Sequence, residues 1–405
     1  MVRTAQAEDN LAGNEKECMK QSVEIAHFRQ QCCLGIDAQT AMPSLLRALR
    51  LLIGSQANSF YWADYNGDID NVYMEQLFPG DMAAHFFREF LNNPADDYSA
   101  LGIRKFLPPG SLVGSSARLF PKSFYRSDMY NLIWRPRRRQ EMLWARVRDA
   151  QGRANGIALM RESGDPAFTE HEEQRLGQLV PYLAHAINAR PSAPSRLVYD
   201  GESAIVLLDH CGRIQHESIE GRRLLLLAAH ERLAPGTVDW KGDSVLPLVL
   251  AKLRESVEVL MAGRPAPPPV FELQNAWGKF VLRGYPLETG KLTGNSLIAV
   301  LIERHVPISL KLMQVMRSLP LSAKQKEVCL LLTEGASYRA VAERLSVRQS
   351  TVIDHVRKIY GKFDVRSHHE LLRKLIRADP GTPTLPFCRP RGQPCAVALC
   401  SSSAK

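Results

Sequence analysis

The chain has 405 residues, too many for one ordinary core, so about two to four domains are expected. Its apolar content of 45% is that of a globular protein, and a formal charge of +10 favours an anionic partner, nucleic acid first. The longest apolar runs fall far short of the ~20 residues that span a bilayer, no apolar core marks a signal peptide, and the eight cysteines form no even framework; the expectation is a reduced, cytoplasmic chain with no membrane partner.

Residues 1–38 are polar and weakly periodic and read as a leader helix or a disordered arm. Residues 39–190 make the first domain, with strand-like runs at 58–63 and 156–160 and a charged alternating run at 142–147 between them. A helix closes it. Thr169 caps that helix and Glu172 completes a capping box. Leu176, Leu179, Val180, Leu183, Ala184 and Ile187 then form one apolar stripe, kinked at Pro181. The stripe serves either its own sheet or a second copy of the chain. Residues 190–195, Arg-Pro-Ser-Ala-Pro-Ser, read as a linker.

A second domain covers 198–306. It has a buried strand at 204–208, a turn at 209–212, a returning strand at 213–216 and a helix near 220–229. Further strands are predicted at 270–273, 279–283 and 296–302 after a stiff Pro-rich loop at 265–269. Residues 305–317 are predicted helical and lead to the third domain. Residues 380–405, rich in Pro, Gly and Ser, read as a disordered tail. No internal repeat is found.

Residues 319–379 are the most informative stretch and read as four short helices. Ser322 with Gln325, and Ser367 with Glu370, make capping boxes; Ser337 caps the second helix, and Gly335 tolerates the left-handed turn before it. The third helix spans 349–362. At 3.6 residues per turn, Val352, Val356, Ile359 and Phe363 share one side within about 60° and anchor it. Thr351, His355, Lys358 and Lys362 flank the anchor, and Ser350, Asp354, Arg357 and Gly361 point outward. A helix so divided holds to its domain by one edge while the others meet phosphates and base edges.

This stretch resembles the LuxR-type helix-turn-helix domain of bacterial transcription regulators. The resemblance rests on Leu321-Ser322, Glu327-Val328, Gly335-x-Ser337, Val341-Ala342-x-x-Leu345, Thr351-Val352-x-x-His355, Lys362-Phe363-x-Val365 and Glu370-Leu371. It implies a recognition helix in the major groove of double-stranded DNA and a homodimer partly built on the last helix. The DNA-binding residues it implies are Ser337, Arg339, Arg348, Gln349, Ser350, Thr351, Asp354, His355, Arg357, Lys358 and Lys362. Two positions depart from the family: Ile353 stands where a basic residue is usual, and Arg348 where a Ser cap is usual. Asp354 repels phosphate but suits a cytosine amino group.

Upstream, residues 148–160 with Phe168, Thr169 and Glu172 resemble a GAF-like sensor region, and 204–303 are similar to a PAS-like module. The expected fold class is therefore multidomain: α+β sensor domains, GAF-like then PAS-like, followed by a four-helix all-α LuxR-type domain. Its function is sequence-specific, DNA-binding transcriptional regulation under an upstream sensor, with an unidentified small-molecule effector and RNA polymerase as further partners. In the alternative, the upstream region is a protein-interaction module. Phe60, Tyr61, Trp62, Phe120, Phe124, Tyr125, Tyr130 and Trp134 are read as core rather than pocket lining. Residues 135–139, rich in Arg, are read as a loop of the first domain. Cys32 and Cys33 are read as inert, and Cys388, Cys395 and Cys400 fit no zinc spacing. With no phosphate-cradling loop, metal cluster or nucleophile motif, no enzyme, cofactor or metal site is expected.

Overall fold

The computed structural model describes residues 22–93, 97–99, 107–108, 110–190, 196–234, 247–287, 297–317 and 319–377. Most of the expected linker, the expected tail and its three cysteines lie outside the described residues.

Helix α1, residues 22–32, is what the segment read as a polar arm contains, and it buries Phe28 and Cys32. Helix α2, Ala38–Ile53, follows; Asp37 Oδ1 caps it by accepting from the Gln39 and Thr40 amides, and Leu45, Leu46 and Leu49 face inward. Strands β1 (Ala57–Ala63), β2 (Ile69–Met74), β3 (Val113–Ser115), β4 (Arg139–Arg148) and β5 (Ala154–Glu162) form an antiparallel sheet in the order β2-β1-β5-β4-β3. Short helices α3 (Gly80–His85) and α4 (Ser116–Leu119) lie between β2 and β4 in the chain. Helix α5, Glu170–Ile187, opens on the Thr169–Glu172 capping box as expected. Its stripe, which the sequence leaves with two uses, packs with α2 over its own sheet.

Strands β6 (Leu197–Leu208), β7 (Ile214–Glu217), β8 (Val270–Asn275), β9 (Gly278–Leu287) and β10 (Leu297–Pro307) make the second antiparallel sheet, in the order β7-β6-β10-β9-β8. Helices α6 (Ile219–Ala229) and α7 (Pro247–Met261) pack on it. Counted within its own sheet, this order repeats that of the first. The sequence shows no such repeat, because one topology needs a matching alternation of apolar residues, not matching residues. Strand β10 runs on to Pro307, so 305–307 are strand and not helix. Val306 precedes a proline, which disfavours the helical conformation there.

The two sheet domains share one continuous core. Trp277 is fully buried and meets Trp62 and Tyr73 with ring centroids 5.7 and 5.9 Å apart. Arg304, 1% exposed, donates to Asp200 Oδ2 at 3.1 Å, Thr40 O at 2.8 Å and Trp277 O at 2.7 Å. A buried cation persists only with such partners.

Helix α8, Ile308–Met316, leaves β10 directly and is buried along nearly its whole length, Lys311 included; the Lys311 Nζ donates to Asp200 O at 3.3 Å. A helix this apolar on all sides must be surrounded. It touches α2, β6 and β10 on one hand and the C-terminal helices on the other. These are α9 (Ala323–Thr333), α10 (Tyr338–Arg344), α11 (Gln349–Phe363) and α12 (His368–Arg377). Their core, built on Val328, Val341, Val352 and Ile359, also takes in Leu312 and Met313 of α8. Among the described residues, no helix is long and apolar enough to cross a membrane.

Candidate nucleic-acid interface

Local chemistry sets each C-terminal helix. Ser322 Oγ accepts from the Gln325 amide at 3.3 Å while Gln325 Oε1 accepts from the Ser322 amide at 3.1 Å, closing the first box. At the other end of α9, the Ala336 amide reaches Leu331 O at 3.1 Å and the Gly335 amide reaches Leu332 O at 2.9 Å. Gly335, at φ +85°, supplies the left-handed residue this paired ending requires. Ser337 Oγ then caps α10 from the Ala340 amide at 3.2 Å. Ala342, 6% exposed, is the small contact under α11. The third box differs from expectation. Ser367 Oγ accepts from the Glu370 amide at 3.2 Å, but the Glu370 carboxylate reaches the Arg366 amide at 2.8 Å.

Helix α11 buries Val352, Val356 and Ile359 and half-buries Phe363. Arg348, Gln349, Ser350, Asp354, Arg357, Lys358 and Lys362 are exposed on it, with Ser337 and Arg339 exposed at the start of α10; Thr351 and His355 are half-buried. Arg348 stands at the N-cap without a side-chain acceptor, so the first-turn amides of α11 have none from their cap. His355 Nδ1 is buried with no hydrogen-bond partner among the described residues.

Charge sorts the basic residues. Arg339 pairs with Glu343 at 3.0 Å and Arg357 with Asp354 at 3.7 Å, both on exposed surface. Arg348 and Lys358 have no carboxylate partner among the described residues. Lys362 is different from the strip that helical spacing assigns it to. Its Nζ donates to Pro320 O at 2.5 Å and to Gln325 Oε1 at 2.9 Å. That flank of α11 meets the loop before α9, so Lys362 braces the domain. Spacing along one helix carries no information about which neighbour sits beside it.

Two residues escaped the sequence reading. Lys374 of α12 donates to Phe363 O at 2.7 Å and to Asp364 O at 3.3 Å, placing a cation on the last carbonyls of α11. Tyr338, 36% exposed at the start of α10, is close enough to Tyr360 of α11 to act on it; burial first, then Tyr338, push the Tyr360 hydroxyl up from its ordinary range. No local pattern marks either.

The apolar face of α12, where the resemblance puts a dimer contact, is turned onto α8 within this chain: Leu371 and Leu375 are 2% and 1% exposed. The Arg-rich 135–139 segment stays in the first domain, Arg139 pairing with Glu162 at 3.1 Å. Of the aromatics expected in the core, Phe60 and Phe124 are fully buried; Tyr61 and Trp134 are buried too but also line a cavity. Cys32 is buried and Cys33 exposed, both free.

Residues 319–375 match the family described as GerE, bacterial regulatory proteins, luxR family, and this segment is a LuxR-family helix-turn-helix domain. No curated protein matches the chain. Among solved structures, the chain is similar to a Vibrio cholera VqmA–ligand–DNA complex at 15% identity and TM-score 0.20, over 48% of this chain and 87% of that one. It is similar to the sensor region of a sensor histidine kinase at 18% identity and TM-score 0.18, over 40% and 63%. It is also similar to the E. coli DhaR(N)–DhaL complex at 10% identity and TM-score 0.22, over 65% and 86%. At these TM-scores the likenesses carry no argument.

Proposed function

We propose that this chain is a sequence-specific, DNA-binding transcriptional regulator whose two sheet domains, GAF-like then PAS-like, are a sensor region governing the LuxR-type domain. One observation carries the reading. Helix α11 is clamped by Val352, Val356 and Ile359 while Arg348 and Lys358, exposed and without carboxylate partners among the described residues, stand free for phosphate. Gln349, Ser350 and Asp354 lie exposed on the same helix for base edges, and exposed Ile353 suits a thymine methyl group.

Two copies place two such helices in successive major grooves about 34 Å apart on a two-fold operator. Helix α8 is the route of control, because it belongs to the C-terminal core and also packs on both sheet domains. A shift of α8 acts on α9 and α12 together, with a coupling of ~1 to 3 kcal/mol. No catalytic step is assigned to the chain.

Selection of bound genomic fragments by the purified chain, then gel-shift titration on the best fragment, tests this. Lys358→Ala is expected to weaken binding alike on all sequences and to lower the salt slope by about 1. Unchanged affinity and slope in Arg348→Ala with Lys358→Ala overturn the assignment.

A further inference from the structure

The first sheet carries a hollow on the face away from α2. Asn58 Nδ2 donates to Leu46 O of α2, so its neighbours Ala57 and Ser59 point to the other face. Register there sets Ser59 beside Ala158, with Met74 and Trp144 outside them, and Ala57 beside Met160, with Met142 beyond. Ala57, Ser59 and Ala158 thus leave a small-residue patch on this face, with Met74, Met142, Trp144 and Met160 around it. Gly156 allows this, since a Cβ there would stand 2.2 Å from Trp144 Cζ2. Phe86, Ile133 and Trp134 roof the space, from two π-helical turns at Phe86–Phe90 and Met129–Trp134. Such turns are rare and recur at functional sites.

The cavity proper is about 60 Å³. Met74, Met129, Met142 and Met160 line it, and unbranched thioether side chains reshape around an occupant. One end is polar. Arg139 is paired with Glu162 and donates to Gln76 Oε1 at 2.5 Å. Among the described residues Arg137 donates only to neutral acceptors, Leu77 O at 2.9 Å, Gln76 O at 3.5 Å and Gln76 Oε1 at 3.3 Å. Of these two neighbouring guanidinium groups, Arg139 has a carboxylate partner and Arg137 has none among the described residues. Burial, then the neighbouring Arg139, pulls the Arg137 pKa down to about 10, the direction of a cation short of an anion.

We propose that this cavity binds a small monocarboxylate with an apolar body of one ring or a short chain, its carboxylate on Arg137 and its body among the methionines and Trp144. Paired N–H donors on one plane suit a carboxylate. The proposal rests on the sensor reading of the sheet domains.

Calorimetric titration of the full chain with benzoate and hexanoate, against benzamide and hexanamide, tests it. At least one carboxylate is expected to saturate one site per chain, with its amide weaker by roughly tenfold or more. Arg137→Gln is expected to abolish that preference with an unchanged circular dichroism spectrum. Ala158→Leu, or Ser59→Leu if the first does not fold, fills the hollow and is expected to remove binding. The site is overturned if neither carboxylate saturates, if acid and amide bind equally, or if Arg137→Gln changes nothing. A parallel gel shift separates the two readings. Carboxylate binding without any change in DNA affinity upholds the site and sinks the sensing role; DNA binding without carboxylate binding does the reverse for the site and leaves the regulator standing.

Discussion

Lys358 and Lys362 lie one turn apart on α11 and serve different ends. Lys358 ends in solvent, whereas Lys362 ends on Pro320 O and Gln325 Oε1. Lys362→Ala is expected to cost about 1 to 2 kcal/mol of stability, the range for a hydrogen bond to a charged group at a partly exposed site, in urea unfolding. It should leave the salt slope of DNA binding nearly as it was, in contrast to Lys358→Ala. A loss of slope equal to that of Lys358→Ala, without loss of stability, would return Lys362 to the phosphate strip. Both lysines are legible as basic positions on one helix. Only the packing of α11 against the loop before α9 tells them apart.

At the scale of elements, α1 shows how much a helix lacking a clean stripe can hide. It lies across the join of the sheet domains and the C-terminal domain: Glu24 pairs with Arg317 at 2.7 Å, and Gln30 reaches Glu327 at 3.3 Å. His27, 6% exposed, has its pKa lowered from 6.5 to about 4, by burial first and then by Lys326 and Arg317. The unfolded chain takes up this proton near 6.5 and the folded chain only near 4, so the folded state loses stability as pH falls between the two. The loss attributable to His27 is roughly 3 kcal/mol. Urea unfolding of wild type and His27→Gln from pH 7 to 4.5 checks it; parallel curves would show that His27 does not carry the dependence. Similar local concealment affects β2, where Asp70 and Asn71 break the apolar run. Asn71 Oδ1 in fact accepts from the Leu233 amide of the second domain at 2.9 Å. A polar residue reserved for a distant partner looks, from sequence, like a loop.

Across the whole molecule, the buried charge cluster joins what the sequence separates. Arg304 answers Asp200 and Glu202, and Arg47 also contacts Glu202. Burial, then the neighbouring Glu202, raises the Asp200 carboxyl, while Arg223, Arg47 and Arg304 hold Glu202 below its ordinary range against its own burial. Arg304→Met takes the ion-pair partner from the buried Asp200, while Glu202 keeps Arg47 and Arg223, and is expected to cost about 3 to 5 kcal/mol by chemical denaturation. A cost under about 1 kcal/mol would mean the cluster is not what holds the two sheets together. Leu312→Ala in α8 is expected to cost about 2 to 5 kcal/mol and to lower one shared calorimetric transition, since α8 packs on the sheet domains as well as on the C-terminal helices. Two separated transitions would break the proposed route from sensor to DNA.

Local pattern along the chain was enough to place the C-terminal helices, their first two caps, the anchored face of α11 and most strands of both sheets. These depend on contacts within a few residues and on periods of two or 3.6 residues, which a linear pattern records. Only the packed molecule shows that both sheets share one strand order, that α8 serves two bodies, that Lys362 is a brace, and that small residues on two adjacent strands leave a cavity beside Arg137. Each of those depends on groups brought together from distant parts of the chain, and no local period encodes that approach.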